Sequence, residues 1–303
     1  MKNLKIWLSA FRLRTLPLSV SGIIVASFLA YYNGVFDPFT GFLAICTVLS
    51  LQILSNLAND YGDGIKGTDN ENRIGPERAI QSGLISKQAM QHAIKINILI
   101  AIFFVIYLIF RAFRMEYLWY SLLFFILGGL TIAASIKYTV GKKAYGYRAL
   151  GDLMVFICFG LLSVIGCYFL YAKQIDHVTI LPACVIGMLS TAVLNLNNMR
   201  DIESDKKSNK ITVAVKLGLT NAKRYHVFLV GGAIILATIF GLLYYTAAFN
   251  LIYFLVFIPL LKHLIFVIKN KEPKQLDSQL KILALSTFFL AILLGIGHIY
   301  NAI

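Results

Sequence analysis

The sequence predicts an all-α, multi-pass membrane protein with about nine transmembrane helices. The chain has 303 residues, of which 58% are hydrophobic and only 14% are charged, and its mean hydropathy is +0.75. A soluble protein of this length would carry far more charge. Apolar runs of 18 or more residues recur along the chain, and each is long enough to cross a hydrocarbon core of ~30 Å. These observations exclude an ordinary soluble domain.

The apolar runs define nine predicted spans. They cover residues 16–36, 39–59, 93–110, 117–136, 149–171, 178–198, 225–246, 249–268 and 281–300. No small-residue cleavage site follows the first run, so we expect no removable signal peptide. Because no soluble segment separates the spans, residues 1–303 are expected to form one membrane-embedded domain.

The basic residues are segregated between the two sides of these spans. The N-terminus and the loops after spans 2, 4, 6 and 8 hold 25 of the 28 Lys and Arg residues, and only Arg111, Arg114 and Lys173 fall on the other side. The positive-inside rule therefore predicts a cell-membrane protein with a cytoplasmic N-terminus and an external C-terminus. Since no soluble basic domain is present, we expect the lipid bilayer as a partner and no nucleic acid.

The four cysteines offer no metal site or disulfide framework. Cys46, Cys158, Cys167 and Cys184 all lie inside apolar runs and have no ligand-type spacing. They are expected to behave as small buried hydrophobic residues.

A first polar cluster lies at the end of span 2, in the stretch SNLANDYGDGIKGTDNENRIGPERAIQSG, residues 55–83. Asn56, Asp60 and Asp63 are spaced four and three residues apart, so on a helix they share one face. Asn59 opens the N-D-x-x-D pattern that ends at Asp63.

A second polar cluster lies at the end of span 6. Asn197, Asp201 and Asp205 are spaced by four residues, so they also share a helix face, whereas Glu203 points away. Asn198 adjoins them. The two clusters occupy corresponding places in spans 1–4 and 5–8, which suggests a weak internal repeat with span 9 added. Both clusters would then face the cytoplasmic side, where the active site is expected.

Paired carboxylates at two helix ends are suited to hard cations. Asp60, Asp63, Asp201 and Asp205 are therefore the predicted catalytic residues and Mg²⁺ ligands, with the diphosphate of a lipid donor as the bound anion. Neutralising that diphosphate would make it a leaving group and generate an allylic cation. The alternative is ordinary loop charge, which the cost of ~3 kcal/mol for a carboxylate inside a span disfavours.

Other side chains near the clusters could contact the substrates. Basic candidates for the diphosphate are Arg14, Lys66, Arg73, Arg78, Lys137, Lys206 and Lys210. The two arginines of RIGPER are favoured because arginine forks onto phosphate oxygens, although any of these charges could serve topology alone. In the loop KYTVGKKAYGYRALGD, Tyr138, Tyr145 and Tyr147 could face a cationic intermediate, or could be interfacial tyrosines. Asp152, which begins span 5, could cap its helix or hold a cation or a substrate hydroxyl.

Three glycines after the first Asp cluster spell G-x-G-x-x-G, at Gly62, Gly64 and Gly67. The dinucleotide fingerprint requires a preceding strand and a following helix, and here a membrane span precedes it. We expect these glycines to let the backbone turn tightly and approach a phosphate closely.

The two Asp motifs resemble those of the intramembrane aromatic prenyltransferases, the UbiA superfamily. The segments RLRTLPLSVSG, NDYGDGIKGTDNENRIGPERAIQSG, AYGYRALGD and NNMRDIESDKKSNKITVAVKLG are similar to the branch that prenylates 1,4-dihydroxy-2-naphthoate. The resemblance spans nearly the whole chain and is weakest after residue 225. The chain departs from the common patterns at Gly67, which is often Asp, and at Ala149, which is often Gly. A further departure is Asn209, often Gly before the Lys-Thr pair, where this chain has Lys210-Ile211-Thr212.

The resemblance implies nine helices around a central cavity, Mg²⁺ dependence and a polyprenyl diphosphate donor. It implies transfer to 1,4-dihydroxy-2-naphthoate with loss of CO₂, giving demethylmenaquinone in menaquinone biosynthesis. By position it assigns Asn56, Asp60, Asp63, Asn197, Asp201 and Asp205 to the diphosphate–Mg²⁺ site.

Two alternatives stay open at this point. The first is a prenyltransferase for another aromatic acceptor, such as 4-hydroxybenzoate. The second is a cation-coupled transporter, which would place its acids near the bilayer midplane, often in inverted repeats with broken helices. Here the acids lie at span ends of the same orientation, so transport is disfavoured.

Overall fold

The computed structural model describes residues 2–69, 74–75, 77–114 and 116–300. Within these residues, nine helical segments are long and apolar enough to cross a membrane. The predicted all-α class and the nine spans are therefore confirmed. The same residues contain no β-strand, only an isolated bridge between Arg148 and Ile211.

The helices follow the predicted order. They are α1 Lys2–Phe11, α2 Leu16–Tyr32, α3 Pro38–Lys66, α4 Lys87–Phe113, α5 Leu118–Lys137, α6 Gly151–Val155, α7 Cys167–Ala172, α8 Ile180–Arg200, α9 Ile202–Lys207, α10 Val213–Leu243, α11 Phe257–Lys269 and α12 Asp277–Ile299. A π-helical stretch, Phe156–Gly166, joins α6 to α7 and makes span 5 continuous. Two 3₁₀ turns, Ala248–Val256 and Pro273–Leu276, lead into α11 and α12.

Side chains that satisfy free backbone N–H groups fix where the long helices begin. Asp37 precedes α3 and its carboxylate accepts a hydrogen bond from the Thr40 N–H at 2.8 Å. Ser86 and Thr212 accept the corresponding bonds at the starts of α4 and α10. Such caps typically stabilise a helix by about 1 kcal/mol.

Three of the helix ends that differ from the predicted ones bear on the site. The helix α3 runs on to Lys66 instead of ending near residue 59, so the first Asp motif is helical. The helix α10 begins at Val213, ahead of the predicted 225, and is broken at Gly218. The helix α12 begins at Asp277 instead of 281, because polar residues of its first turn face the protein interior, where a hydropathy window gives no signal.

The interior is built around α8, α2 and α12. Small residues let these helices approach closely, as expected where packing, not water exclusion, drives helix association. A Cβ added at Gly160 would lie 2.6 Å from the Cα of Gly187, so span 5 and α8 touch backbone to backbone there. The helix α5, in contrast, has no fully buried residue. It forms an outer wall.

Candidate active site

A cavity of about 640 Å³ opens between the helices on the side where α3 and α8 end. This volume lies within the usual range for small-molecule sites, ~300–1,000 Å³. The polar residues lining its mouth are Arg12, Arg14, Asn56, Asn59, Asp63, Thr68, Asp69, Arg78, Asn197, Asn198, Asp201, Asp205, Lys210, Asp277, Ser278 and Lys281. Below the mouth the lining becomes apolar and includes Leu18, Ile23, Val105, Ile109, Phe124, Leu162 and Leu170. The cavity therefore joins a charged entrance to a hydrocarbon-like interior.

The first cluster reaches this cavity through one face of α3. Asn56, Asn59 and Asp63 all line it. The Asn56 amide donates to the Phe11 carbonyl at 2.9 Å and to Thr15 Oγ1 at 3.1 Å, which ties α3 to the start of span 1. The Asp63 carboxylate accepts a hydrogen bond from the Tyr147 hydroxyl at 2.7 Å. Its Oδ1 is thereby held in place while the side chain stays at the cavity surface.

The side chain of Asp60 does not point into the same space as that of Asp63, contrary to the prediction from helical spacing. It is buried and does not line the cavity. Its two carboxylate oxygens accept hydrogen bonds from the backbone N–H groups of Ala79 and Ile80, at 3.2 and 3.3 Å. On the helix, Asp60 lies at the edge of the Asn56–Asp63 face, next to the returning loop. It therefore anchors the segment that carries Arg78.

The second cluster lies where α8 ends and α9 begins. Asp201 stands between the two helices, and Asp205 follows one turn later in α9. Both are buried and both line the cavity, as do Asn197 and Asn198. Glu203 is exposed, as its position on the opposite helix face predicts.

Lys210 joins the two clusters. Its ammonium lies 3.3 Å from Asp63 Oδ2 and 3.8 Å from Asp205 Oδ1. Burial alone would lower the pKa of Lys210, but the carboxylates of Asp63 and Asp205 outweigh it and raise that pKa above its usual value. The lysine thus stays charged between two carboxylates that would otherwise repel each other.

Arg200 is a site residue that the sequence reasoning missed. Among the described residues it is the bulkiest fully buried side chain, with 1% exposure. Its Nε donates to Asp201 Oδ1 at 2.9 Å and its Nη2 donates to Asn197 Oδ1 at 2.9 Å. Its Nη1 also donates to Asp277 of α12. This guanidinium orients two second-cluster residues and fastens span 9 to them. Its position directly before Asp201 was the one available signal.

The loop between spans 4 and 5 supports Asp63 from behind. Besides bonding Asp63, the Tyr147 hydroxyl lies 2.6 Å from Thr68 Oγ1. Lys66 donates to the Thr139 carbonyl at 2.6 Å and lies 3.9 Å from the centre of the Tyr147 ring. Neither Tyr147 nor Lys66 lines the cavity. Both were predicted to contact substrate, and in the structure they support a residue that lines the cavity.

Tyr138 and Tyr145, in contrast, do line the cavity. Burial raises the pKa of both phenols, so both are neutral and present rings and hydroxyls to the interior. Their ring centres are 5.3 Å apart, edge to face.

The remaining predicted residues fall into three groups. Arg14 and Arg78 line the cavity mouth. Lys137 and Lys206 are exposed, and Asp152 is buried; none of these three lines the cavity. Arg73 lies outside the described residues.

Gly62, Gly64 and Gly67, near Asp63, were predicted to let the backbone turn tightly and approach a phosphate, but the structure gives them different roles. A Cβ on Gly62 would meet Thr139 Oγ1 at 2.5 Å, and one on Gly64 would meet Ile80 at 2.8 Å, so these two glycines let later segments of the chain pack closely against α3. Gly67 alone makes a turn, with φ of 70° at the end of α3. That turn brings Asp69 back to line the cavity, where its Oδ2 is 4.0 Å from Arg78 Nε.

Ala149 occupies a left-handed conformation, with φ of 55°. Its N–H donates to the Ile211 carbonyl at 2.7 Å, so this conformation holds the loop against the segment that carries Lys210. A left-handed conformation is strained for a residue other than glycine, which accounts for the glycine that the resemblance leads us to expect here.

The donor set at the mouth is suited to magnesium. Asp63, Asp69, Asp201 and Asp205 supply hard carboxylate oxygens on one cavity. Among the described residues, no group of three or more acidic, histidine or cysteine side chains is gathered closely enough to enclose a metal by itself. Mg²⁺ commonly binds one or two carboxylates together with substrate phosphates and water.

The sequence of this chain is similar to those of named enzymes. A relative from Escherichia coli (strain K12), named 1,4-dihydroxy-2-naphthoate octaprenyltransferase, is 47% identical over 236 residues, which are 78% of this chain and 76% of the relative. A protein of the same name from Haemophilus influenzae is 39% identical over 298 residues, or 98% of this chain and 96% of the relative.

Solved structures share the fold. The apo structure of a UbiA homolog from Aeropyrum pernix K1 has a TM-score of 0.65 at 15% identity and covers 98% of this chain and 99% of its own. The structure of a UbiA homolog from Archaeoglobus fulgidus bound to DMAPP and Mg²⁺ has a TM-score of 0.60 at 13% identity, with 95% and 99% coverage. The model of the UbiA prenyltransferase family matches residues 19–296, and this chain belongs to that family.

Proposed function

We propose that this protein transfers a polyprenyl chain from polyprenyl diphosphate to 1,4-dihydroxy-2-naphthoate, with release of diphosphate and CO₂. The product is demethylmenaquinone in its reduced, quinol form, and its formation is a step of menaquinone biosynthesis. The observation that carries the proposal is the meeting of two Asp clusters, through Lys210, at the mouth of an apolar cavity. The names of the relatives from E. coli and H. influenzae support the acceptor.

The chain's own residues handle the donor in two ways. Arg14, Arg78 and Lys210 offer positive charge to the diphosphate at the mouth, and guanidinium groups can bind its oxygens bidentately. The apolar lining below receives the isoprenoid tail. The diphosphate is thereby held at the membrane surface with its C1 carbon directed into the cavity.

Mg²⁺ would be held by one or two of the carboxylates of Asp63, Asp69, Asp201 and Asp205 together with oxygens of the diphosphate, and would neutralise the charge of this leaving group. The UbiA homolog from A. fulgidus, bound to DMAPP and Mg²⁺, supports this choice of metal.

The reaction balances without a net proton. The C1–O bond of the donor breaks, its electron pair leaves with the diphosphate, and an allylic cation remains. The acceptor ring forms a bond to C1 at the carbon that carries the carboxylate, and the electrons of the breaking ring–carboxylate bond restore aromaticity as CO₂ departs. Tyr138 and Tyr145 present neutral aromatic rings to the cavity in which this cation forms, and aromatic faces stabilise cations.

The test supplies purified protein with polyprenyl diphosphate, Mg²⁺ and either 1,4-dihydroxy-2-naphthoate or 4-hydroxybenzoate. The masses of the products are then measured by mass spectrometry. We expect a prenylated naphthoquinol that has lost its carboxylate. Reaction with 4-hydroxybenzoate alone, or a product that keeps the carboxylate, would overturn the assignment. Chelation should abolish turnover, and added Mg²⁺ should restore it.

A further inference from the structure

The far end of the cavity contains a glycine that nothing in the local backbone requires. Gly166 lines the cavity and lies in the last third of the 22-residue span Gly151–Ala172. Its φ and ψ are −62° and −43°, ordinary helical values that any residue adopts. A glycine inside a helix is less favourable than alanine by about 1 kcal/mol, so its presence calls for a reason other than conformation.

Close packing is not that reason either. A Cβ added at Gly160 or Gly22 of the same bundle would collide with neighbouring atoms, at 2.6 and 2.2 Å. One added at Gly166 would meet only Leu162, through the end of its side chain at 3.0 Å. The space beside Gly166 is therefore the cavity itself.

The side chains around Gly166 are apolar and suited to a lipid tail. Gly166 lies roughly 20 Å along span 5 from Gly151 at ~1.5 Å per residue. Phe124 lines the cavity on the facing helix α5, and its ring packs 5.1 Å from Phe113 and 5.7 Å from Phe169, centre to centre. Phe124 thus presents an aromatic surface to the cavity, and Phe113 and Phe169 support its ring from behind.

We infer that Gly166 is a specificity-determining residue for the length of the prenyl donor, because its missing side chain leaves room for the distal part of the tail. The inference rests on the proposed prenyl transfer. A short tail ends above this level, whereas a long tail passes it. A bulky residue at 166 therefore penalises long donors and spares short ones.

The test compares kcat/KM for geranyl, geranylgeranyl and octaprenyl diphosphate in the wild type and in Gly166→Ala, Gly166→Val and Gly166→Phe. We expect geranyl transfer to stay within about twofold of the wild type. For the longer donors, we expect a loss that grows with side-chain size to about ten- to a hundredfold, the size expected when atoms are forced into a filled site. Gly129→Phe is the matched control, because Gly129 of α5 is exposed, does not line the cavity and has open space around its Cβ position.

The outcomes separate the two proposals. If the wild type prenylates no naphthoate with any donor, the proposed function fails. If the wild type is active and folded Gly166→Phe keeps the wild-type ratio of long to short donors, the tail does not pass Gly166 and the inference is wrong. An equal loss for all donors in the folded Ala and Val variants would also overturn it.

Discussion

The ammonium of Lys210 lies 3.3 Å from Asp63 Oδ2, which joins the end of the second spanning helix to the loop after the sixth. The same nitrogen is 3.8 Å from Asp205 Oδ1. One lysine thus compensates a carboxylate from each cluster. A diphosphate entering the mouth would meet both a positive charge and the carboxylates that hold its metal.

Removing that charge should impair the reaction. In Lys210→Met we expect kcat/KM to fall about a hundredfold, the usual effect of deleting one preorganised charged group. Lys206→Met is the matched control, because Lys206 precedes the same loop but is exposed and outside the cavity. Steady-state kinetics of both variants measure the effect, and equal activities would show that Lys210 has no role in the reaction.

The pH dependence of stability should reflect the raised pKa of Lys210. A base whose folded pKa is raised contributes stability that is fully present below its unfolded pKa, near 10.4 for lysine, and is lost as the pH rises through the folded pKa. The difference in Tm between wild type and Lys210→Met should therefore be constant from pH 6 to 9. A difference that shrinks between pH 7 and 9 would mean that the ammonium loses its proton there.

Substitutions of Asp60 and Asp63 should differ in their effects on stability and turnover. Asp60→Asn loses one of two backbone hydrogen bonds to a charged acceptor, so the free energy of unfolding should fall by about 1.5–3 kcal/mol. If turnover also falls, the cause should be that the loop carrying Arg78 is less firmly anchored. Asp63→Asn breaks the pair with Lys210 and should also lose stability, but its folded protein should lose about 10²–10³ in kcat. A fall in kcat for folded Asp60→Asn as large as that for folded Asp63→Asn would contradict the role given to Asp60.

The charge asymmetry of the loops predicts the orientation in the membrane. In a variant without the four native cysteines, Lys143→Cys should resist a membrane-impermeant thiol reagent in intact cells and react after permeabilisation. Ala248→Cys, on the opposite side, should react in intact cells. Both positions are exposed on the protein surface. Labelling of position 143 but not 248 would invert the orientation and place the cavity mouth outside.

Much of the fold follows from hydropathy, because the bilayer imposes one dominant constraint on every span. The pairing of the two Asp clusters was also predictable, since helical spacing puts carboxylates on one face and charge asymmetry puts both on one side. The exact direction of Asp60 was not, because it depends on a backbone segment 19 and 20 positions later.

The contribution of span 9 was equally hidden in the sequence. Three residues at the start of span 9 line the cavity, namely Asp277, Ser278 and Lys281. In the sequence they are simply polar residues that flank an apolar run. The buried guanidinium of Arg200, bonded to Asp277, ties this end of span 9 to the second cluster. Long-range ion pairs of this kind leave no periodic pattern in one sequence.

In the proposed reaction, carboxylates of both clusters act on the diphosphate. The most direct measurement is the turnover of Asp205→Asn against Glu203→Gln, at equal amounts of folded protein and saturating Mg²⁺. The two residues are neighbours on α9, but Asp205 is buried at the cavity and Glu203 is exposed. We predict a loss of about 10²–10³ in kcat for Asp205→Asn and wild-type turnover for Glu203→Gln. Equal turnover in the two variants would contradict the two-cluster mechanism.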